Sequence, residues 1–454
     1  MIFLSYNFFL VALGIVLLSL KRKAPVWMVW INFLFILGVV FGNYRFDLTL
    51  TGEFGVHLLL DHISHYFLLL TALVFLAVFT RKMSVNLSNL LLVLIGVLNL
   101  TFVSADLFNL YVTIEAVSLL TFLLVVEGRK KVQYWSAFKY LILGTIGMNV
   151  YLTGVAILYA ENGTLSISGL SENPFATSLI TSGLLLRAGV FLFSMWLPQL
   201  HSEAETVISA VLSGVVVKSA VYGLLRMEEI VNWELIEYFA IFSALSGAVL
   251  AFLSRDYKRT LAYSTLSQIG IVLVSPITAP VYSLAHGVSK SWLFLLKDEL
   301  PGRNTEEWER LDFWTWLSLA LASLSIMGFP GFSGFSKNMV LLEIHGWEKL
   351  LMEIAFAGTA ATFWRFLMKP FVFSGQGRIK PYSVILAASS VVIGIFFANW
   401  KSSLESVLLI GSGLLVHLLF RRCRIERYPL EDFDSMLGIY LLGTVMMCLF
   451  SLQW

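Results

Sequence analysis

The sequence predicts an all-α, polytopic membrane protein, from its composition, the spacing of its charged residues and the side on which its basic residues gather. Of 454 residues, 58% are hydrophobic and 13% charged, with a mean hydropathy of +0.82. A soluble domain carries about 25% charge and about half apolar residues. A membrane-crossing helix needs roughly 20 apolar residues and a connection several more. At about 28 residues per unit the chain has room for 14 to 16 spans and none for a large soluble domain. We therefore expect one transmembrane domain over residues 1–454.

Taken in order, the first span is the apolar run MIFLSYNFFLVALGIVLLS, with Lys21, Arg22 and Lys23 behind it. That is the reverse of a cleaved signal peptide, so it reads as a retained helix. Further short charged interruptions follow near residues 45, 81, 106, 129, 162, 201, 228, 256, 280, 303, 337 to 349, 378, 401 and 424. With the one at 21 they divide the chain into about sixteen apolar runs. The positive-inside rule tests the count, because a missed helix would scramble the side on which Lys and Arg accumulate. The odd-numbered connections hold Lys21, Arg22, Lys23, Arg81, Lys82, Arg129, Lys130, Lys131, Arg255, Lys258, Arg259, Lys297, Arg303, Arg310, Lys369, Arg378, Lys380, Arg421, Arg422, Arg424 and Arg427. The even-numbered ones hold only Arg45, Arg226, Lys349 and Lys401. Both termini are thus expected outside, and the membrane is expected to be the cell (inner or plasma) membrane.

Six basic residues remain, and they fall within or beside apolar runs: Lys139, Arg187, Lys218, Lys290, Lys337 and Arg365. A cation in hydrocarbon costs from a few to more than ten kcal/mol, so such residues usually face the bundle interior and mark an ion route. Glu115 joins them from NLYVTIEAVSLLTF. The plainer alternative is snorkelling from a helix end or simple pairing, most plausible for Lys139 and Arg365.

Net charge is +2, so nothing points to nucleic acid. No phosphate-loop, haem, flavin or zincin pattern is present, and no cofactor or metal is expected. Cys423 and Cys448 make neither a disulfide framework nor a metal set. His57, Asp61, His62 and His65 in VHLLLDHISHYF have metal-like spacing, but an interfacial polar turn accounts for them more simply. A desolvated ammonium, by contrast, gives up its proton readily and regains it beside a carboxylate, so a buried lysine can act as a proton switch. In MGFPGFSGFSK, residues 327 to 337, Pro330 and three glycines forbid a continuous helix, and broken helices mark transporter ion sites. In MWLPQLHSEAE, residues 195 to 205, Pro198 ends a second run containing Arg187, where a plain helix end is equally consistent.

These segments resemble the antiporter-like membrane subunits shared by respiratory complex I, Mrp-type sodium/proton antiporters and membrane-bound hydrogenase and sulfane reductase complexes. The resemblance spans roughly residues 50 to 375. It is carried by LYVTIEAVSLLTF (110 to 122), AFKYLILGTIG (137 to 147), the run from Trp196 to Arg226, DYKRTLAYSTLSQIG (256 to 270), HGVSKSWLF (286 to 294) and GFPGFSGFSK (328 to 337). It implies two inverted five-helix repeats, each with a broken helix, over about 88–228 and 233–373, between N-terminal helices (1–105) and C-terminal ones (380–454). It further implies a proton or sodium route through Glu115, Arg187, Lys218, His286, Lys290 and Lys337, with other membrane subunits as partners, a second antiporter-like subunit among them. Any driving reaction would lie in another subunit.

Several positions depart from the family. Arg187 stands where the family has a lysine, and a guanidinium does not release a proton. Glu205 and Val207 replace two prolines, Tyr282 replaces a histidine, and Lys297, Asp298 and Glu299 replace small residues. The sequence therefore leaves two expectations open: an ion-translocating subunit, or a transport-impaired structural and coupling subunit of the same kind of complex. A self-contained solute transporter is disfavoured, since no polar and aromatic midplane pocket is evident.

Overall fold

The computed structural model describes residues 1–50, 56–373, 377–397, 399–423, 425 and 432–451. It opens with α1 (Ile2–Ser19) and α2 (Val26–Phe41), then an antiparallel hairpin of β1 (Phe46–Thr49) and β2 (His57–Leu60) in register Phe46 to Leu60. The helices α3 (His62–Val78), α4 (Val85–Thr101), α5 (Leu107–Val126) and α6 (Lys131–Asn162) follow. A broken run, α7 (Pro174–Ala188) with α8 (Trp196–Glu203), leads to α9 (Thr206–Val211), a π segment (Leu212–Val216) and α10 (Lys218–Arg226). Next come α11 (Trp233–Leu253), α12 (Tyr257–Leu273) and α13 (Ala279–Leu295). A second broken run comprises α14 (Phe313–Met327), a 3-10 turn (Ser333–Lys337) and α15 (Asn338–Glu343). The last helices are α16 (Gly346–Leu367), α17 (Pro381–Phe396), α18 (Ser403–Phe420) and α19 (Phe433–Ser451).

Among the described residues, every charged interruption in the sequence falls at a helix junction or within about one turn of one. Arg424 and Arg427 lie outside the described residues. Among the described residues, eight helical runs are long and apolar enough to cross a membrane, and α2, α3, α4, α14 and α17 are shorter apolar helices. Acidic residues close helix ends: Asp61, Asp106, Asp256 and Asp312 accept from backbone amides at the starts of α3, α5, α12 and α14. Each such cap is worth about 1 kcal/mol.

The run from Thr206 to Arg226 is the axis of the bundle, with its whole apolar window buried, against 28% for α1, 22% for α18 and 33% for α19. At the periphery α1 meets α4 through Gly14 and Gly96, where a Cβ would stand 2.6 Å from Val93 and 2.7 Å from Val11. Small residues let membrane helices approach this closely. Beside that contact, Asn99 donates to the side-chain oxygens of Asn7 (2.8 Å) and Asn32 (3.2 Å), joining α1, α2 and α4. The helices after residue 400 are integrated into the bundle, α18 against α16 and α19 against α7 and α11.

Two cations counted as connection charges prove to be buried. Lys258 is 5% exposed, inside the first turn of α12. Arg226, at the end of α10, donates through both terminal nitrogens to the Asp61 carboxylate (2.7 Å each), and also to Ser64 Oγ (2.8 Å) and Tyr222 Oη (2.8 Å). Burial alone would raise the Asp61 pKa. The Arg226 hydrogen bond and charge, with the Ser64 amide, outweigh burial and hold it at about 2 rather than 3.8. A depressed carboxylate pKa contributes stability above its unfolded value, and that contribution disappears as pH falls through the folded value. Asp61→Asn keeps the cap but removes the charge facing Arg226, and should destabilise the detergent-solubilised protein by roughly 3 kcal/mol at pH 7. Thermal unfolding curves of the two proteins should converge as pH approaches 2, and equal stability at pH 7 would refute the pairing argument.

Candidate functional site

Arg187 sits in the last turn of α7, just before Gly189, whose φ of 93° ends the helix. Its side chain is 3% exposed and its guanidinium pairs directly with the Glu115 carboxylate, itself 24% exposed on α5. A second terminal nitrogen donates to Ser118 Oγ (2.5 Å), and the group lies 5.4 Å from the Tyr140 ring centre. Gly144 on α6 makes the space: a Cβ there would stand 2.0 Å from Nη1. The break after Arg187 runs from Gly189 through Leu192, which has a φ of 73°. Pro198 lies in the first turn of α8 and opens that helix, where Pro costs no hydrogen bond, so the interruption comes earlier than the sequence alone places it. Lys139 is buried and donates to Gln199 Oε1 on α8 (2.9 Å).

Lys218 follows the π segment. Such a turn withdraws carbonyls from the regular ladder, and Lys218 Nζ donates to the carbonyl of Ser213 (2.5 Å). Ser213 Oγ contacts Thr265 Oγ1 (2.8 Å), Thr265 donates to the Leu261 carbonyl (2.9 Å), and Lys290 Nζ donates to that same carbonyl (2.8 Å). The two lysines, both closed to solvent, thus meet across one turn of α12. The π segment and α13 cross almost backbone to backbone, since a Cβ on Gly287 would stand 2.6 Å from the Gly214 carbonyl.

His286 lies one turn before Lys290 on α13, fully buried, with neither ring nitrogen hydrogen-bonded. His201 on α8 has the same character and stacks on Phe294 with ring centres 5.0 Å apart. The site residues expected from sequence do not include His201, although it stands inside the quoted Trp196 segment. Its one signal is a ring titratable near neutral pH directly after a proline-containing break.

Beside Lys258, whose Nζ donates to the Ala204 carbonyl, opens a polar cavity of about 750 Å³ lined by Glu127, Glu203, Glu205, Lys258, Asp298 and Arg303 among others. Glu205 and the stretch after Lys290 therefore serve this opening and not the interior. Asp298 pairs with Arg81 and accepts from Thr206 Oγ1 (2.5 Å), and Glu299 pairs with Arg81 (3.0 Å) and Lys380 (3.5 Å).

Lys337 ends the 3-10 turn of the second break, 2% exposed, with Nζ 4.5 Å from the centre of the Phe356 ring. Its Cε rests on Gly328, where φ is 87° and a Cβ would stand 2.4 Å away. Among the described residues no carboxylate pairs with Lys218, Lys290 or Lys337, in contrast to Arg187. Arg365 is structural in its contacts, donating to the Ser254 (2.6 Å) and Ala251 (3.3 Å) carbonyls at the end of α11. Tyr282 donates to Gln268, which in turn donates to Thr359 (3.1 Å).

The residues with metal-like spacing near the hairpin diverge. His57 contacts Asp47 (2.7 Å) and Ser166 (3.0 Å), Asp61 holds Arg226, His65 reaches the Tyr44 carbonyl (2.9 Å), and His62 is exposed. Among the described residues no three His, Cys, Asp or Glu converge to hold a metal.

Known proteins share this sequence pattern and this fold. Residues 104–364 match the transmembrane family described as NADH:quinone oxidoreductase/Mrp antiporter. Among curated proteins the chain is 26% identical over 336 residues to an NADH-quinone oxidoreductase membrane component (N) of Rhodococcus opacus, covering 64% of this chain and 62% of that one. It is 25% identical over 324 residues to a Na(+)/H(+) antiporter component of Alkalihalophilus pseudofirmus, covering 63% and 65%. The matched stretch spans less than two thirds of the length of these relatives. Among solved structures the fold resembles a chain of an archaeal membrane-bound sulfane sulfur reductase (TM-score 0.78, 20% identity, 96% of this chain and 99% of that one). It also resembles a chain of respiratory complex I from Thermus thermophilus (TM-score 0.77, 20% identity, 91% and 99%). With over half its length matched, including both breaks and the buried cations from Lys139 to Lys337, the chain belongs to the NADH:quinone oxidoreductase/Mrp antiporter transmembrane family.

Proposed function

We propose that this chain is an ion-translocating, antiporter-like subunit of a multisubunit membrane complex, moving protons through Lys218, His286, Lys290 and Lys337. One observation carries the proposal: three lysines, each at most 2% exposed, stand without any carboxylate partner among the described residues, Lys218 and Lys337 at helix irregularities and Lys290 within α13. Lys218 and Lys290 donate to backbone carbonyls. A neutral acceptor lets an ammonium lose its proton without leaving a buried anion behind. The coupling is electrostatic. At about 6 to 10 Å and an effective dielectric near 20, one unit charge changes a neighbour's energy by about 2 to 3 kcal/mol, enough to drive a proton to the next site.

The polar cavity beside Lys258 serves as the opening on the inside face. Both termini lie outside in this arrangement, the membrane is the cell membrane, and the repeats run over about 88–228 and 233–373. The partners are other membrane subunits, a second antiporter-like one among them, and one of them supplies the driving reaction.

Arg187 supports a second reading for the first half of the channel, the part built on Glu115 and Arg187. Its guanidinium is paired, hydrogen-bonded to Ser118 and seated in the space left by Gly144. A pair that never exchanges its proton transmits charge or motion and conducts nothing, which would make this half a coupling element.

Lys290→Ala in the assembled complex should lower proton translocation in membrane vesicles at least tenfold with assembly intact; unchanged pumping would refute the transport reading. Arg187→Lys restores a group able to release its proton, and should leave assembly intact while raising proton flux about twofold or more. An unchanged flux would show that the first half does not conduct even with a switching residue in place.

A further inference from the structure

Between the arm of α13 that carries His286 and Lys290 and the broken segment that carries Lys337 lies a cluster the ion route above does not use. Ser289 on α13, Ser325 on α14, Ser333 at the start of the 3-10 turn and Ser390 on α17 are all fully closed to solvent. Ser325 Oγ lies 2.7 Å from Ser289 Oγ, 3.2 Å from Ser333 Oγ and 2.8 Å from Ser390 Oγ. Ser333 Oγ lies 3.1 Å from both Ser289 Oγ and Ser390 Oγ. The Ala285 carbonyl accepts from Ser289 (3.0 Å) and Ser333 (3.2 Å), and Ser390 Oγ accepts from the Ser333 amide (3.1 Å), a donor left over by the helix break.

Four hydroxyl protons therefore serve five oxygen to oxygen contacts and two to a carbonyl. A cluster with more contacts than protons has several hydrogen-bond patterns, and it moves between them by rotating hydroxyls with the heavy atoms in place. Each serine donates once and accepts twice, so each can take a proton from one neighbour and hand its own to the next. At one end, Ser289 shares a turn of α13 with His286 and Lys290, and His286 has two buried ring nitrogens without partners. At the other, Ser333 opens the turn whose last residue is Lys337.

We propose that Ser289, Ser325, Ser333 and Ser390 form a hydroxyl relay that passes a proton between the His286 and Lys290 arm of α13 and the broken segment holding Lys337. The inference rests on the transport function above and names part of its route. Each hop breaks one O–H bond and forms another, so the cluster keeps four protons and resets by rotation. The same chemistry disfavours a sodium ion. No carboxylate hydrogen-bonds to any of the four among the described residues, so a desolvated metal cation would find no counter-charge in the cluster.

The test uses the assembled complex in inverted vesicles of its host, read with a pH-sensitive dye. Ser325→Ala combined with Ser390→Ala should cut proton movement at least tenfold with the complex assembled. Ser325→Thr, which keeps a hydroxyl, should restore flux at least fivefold over Ser325→Ala. Equal loss in the Ala and Thr variants of Ser325 would mean packing alone and would overturn the relay, as would full flux in the double variant. Should the double variant not assemble, Ser390→Ala alone must lower flux at least threefold, and full flux there refutes the proposal. Loss of sodium-dependent flux with proton flux kept would likewise overturn it. Lys290→Ala measured alongside separates the two levels: full flux there removes the transport function itself, whereas loss there with intact serine variants removes only the relay.

Discussion

At membrane depth, backbone carbonyls that leave the helical ladder have to find partners within the bundle, and here buried cations supply several of them. Lys218 takes the carbonyl of Ser213 in the π segment, Lys258 that of Ala204 after α8, and Arg365 those of Ala251 and Ser254 where α11 closes. One set of contacts thus meets two needs, completing the irregular backbone and giving a buried cation a neutral acceptor. Replacing such an acceptor by a carboxylate would tighten the grip on the proton and fix the charge in place.

The two halves differ on this point. Around Arg187 the cation is answered by Glu115, a hydroxyl and an aromatic face, with Gly144 shaped to the guanidinium. Around Lys218, Lys290 and Lys337 the partners are carbonyls and aromatic rings. The Arg187 cation is thus tied to an anion, while among the described residues Lys218, Lys290 and Lys337 have no carboxylate partner. The breaks are finished differently as well. Gly394 of α17 packs against the backbone of Gly331 and Phe332, and Ser390 accepts a freed amide. At the first break, Gly443 and Tyr440 of α19 pack on the Phe193 ring.

Much of the fold is legible in the sequence because apolar length and charged punctuation report on a single solvent boundary. The junctions near 81, 129 and 256 follow from that alone, and the break at Pro330 follows from backbone chemistry. What stays hidden depends on azimuth and not on depth. Lys258 and Arg226 sit at helix ends, where a sequence reads them as loop charges, but they turn inward. His201 lies in plain view, yet nothing local says that its ring lacks a partner. Pro198 is ambiguous because proline is equally at home in the first turn of a helix and just beyond its last. The serines of α13, α14 and α17 are ordinary in isolation, and only packing makes them neighbours.

The π segment has a geometric consequence of its own. A π turn amounts to one extra residue in an otherwise continuous helix, and an α-helix advances about 100° per residue. The run from Thr206 to Arg226 therefore presents two faces out of phase. Within the insertion Ser213 faces Thr265 and Gly214 packs against α13; after it, Lys218 turns back on the Ser213 carbonyl and Arg226 reaches Asp61 at the start of α3. Residues 212 to 216 are in effect a phase shifter, and their length, more than their chemistry, lets a single helix bind the interior lysine and the outer clamp at the same time.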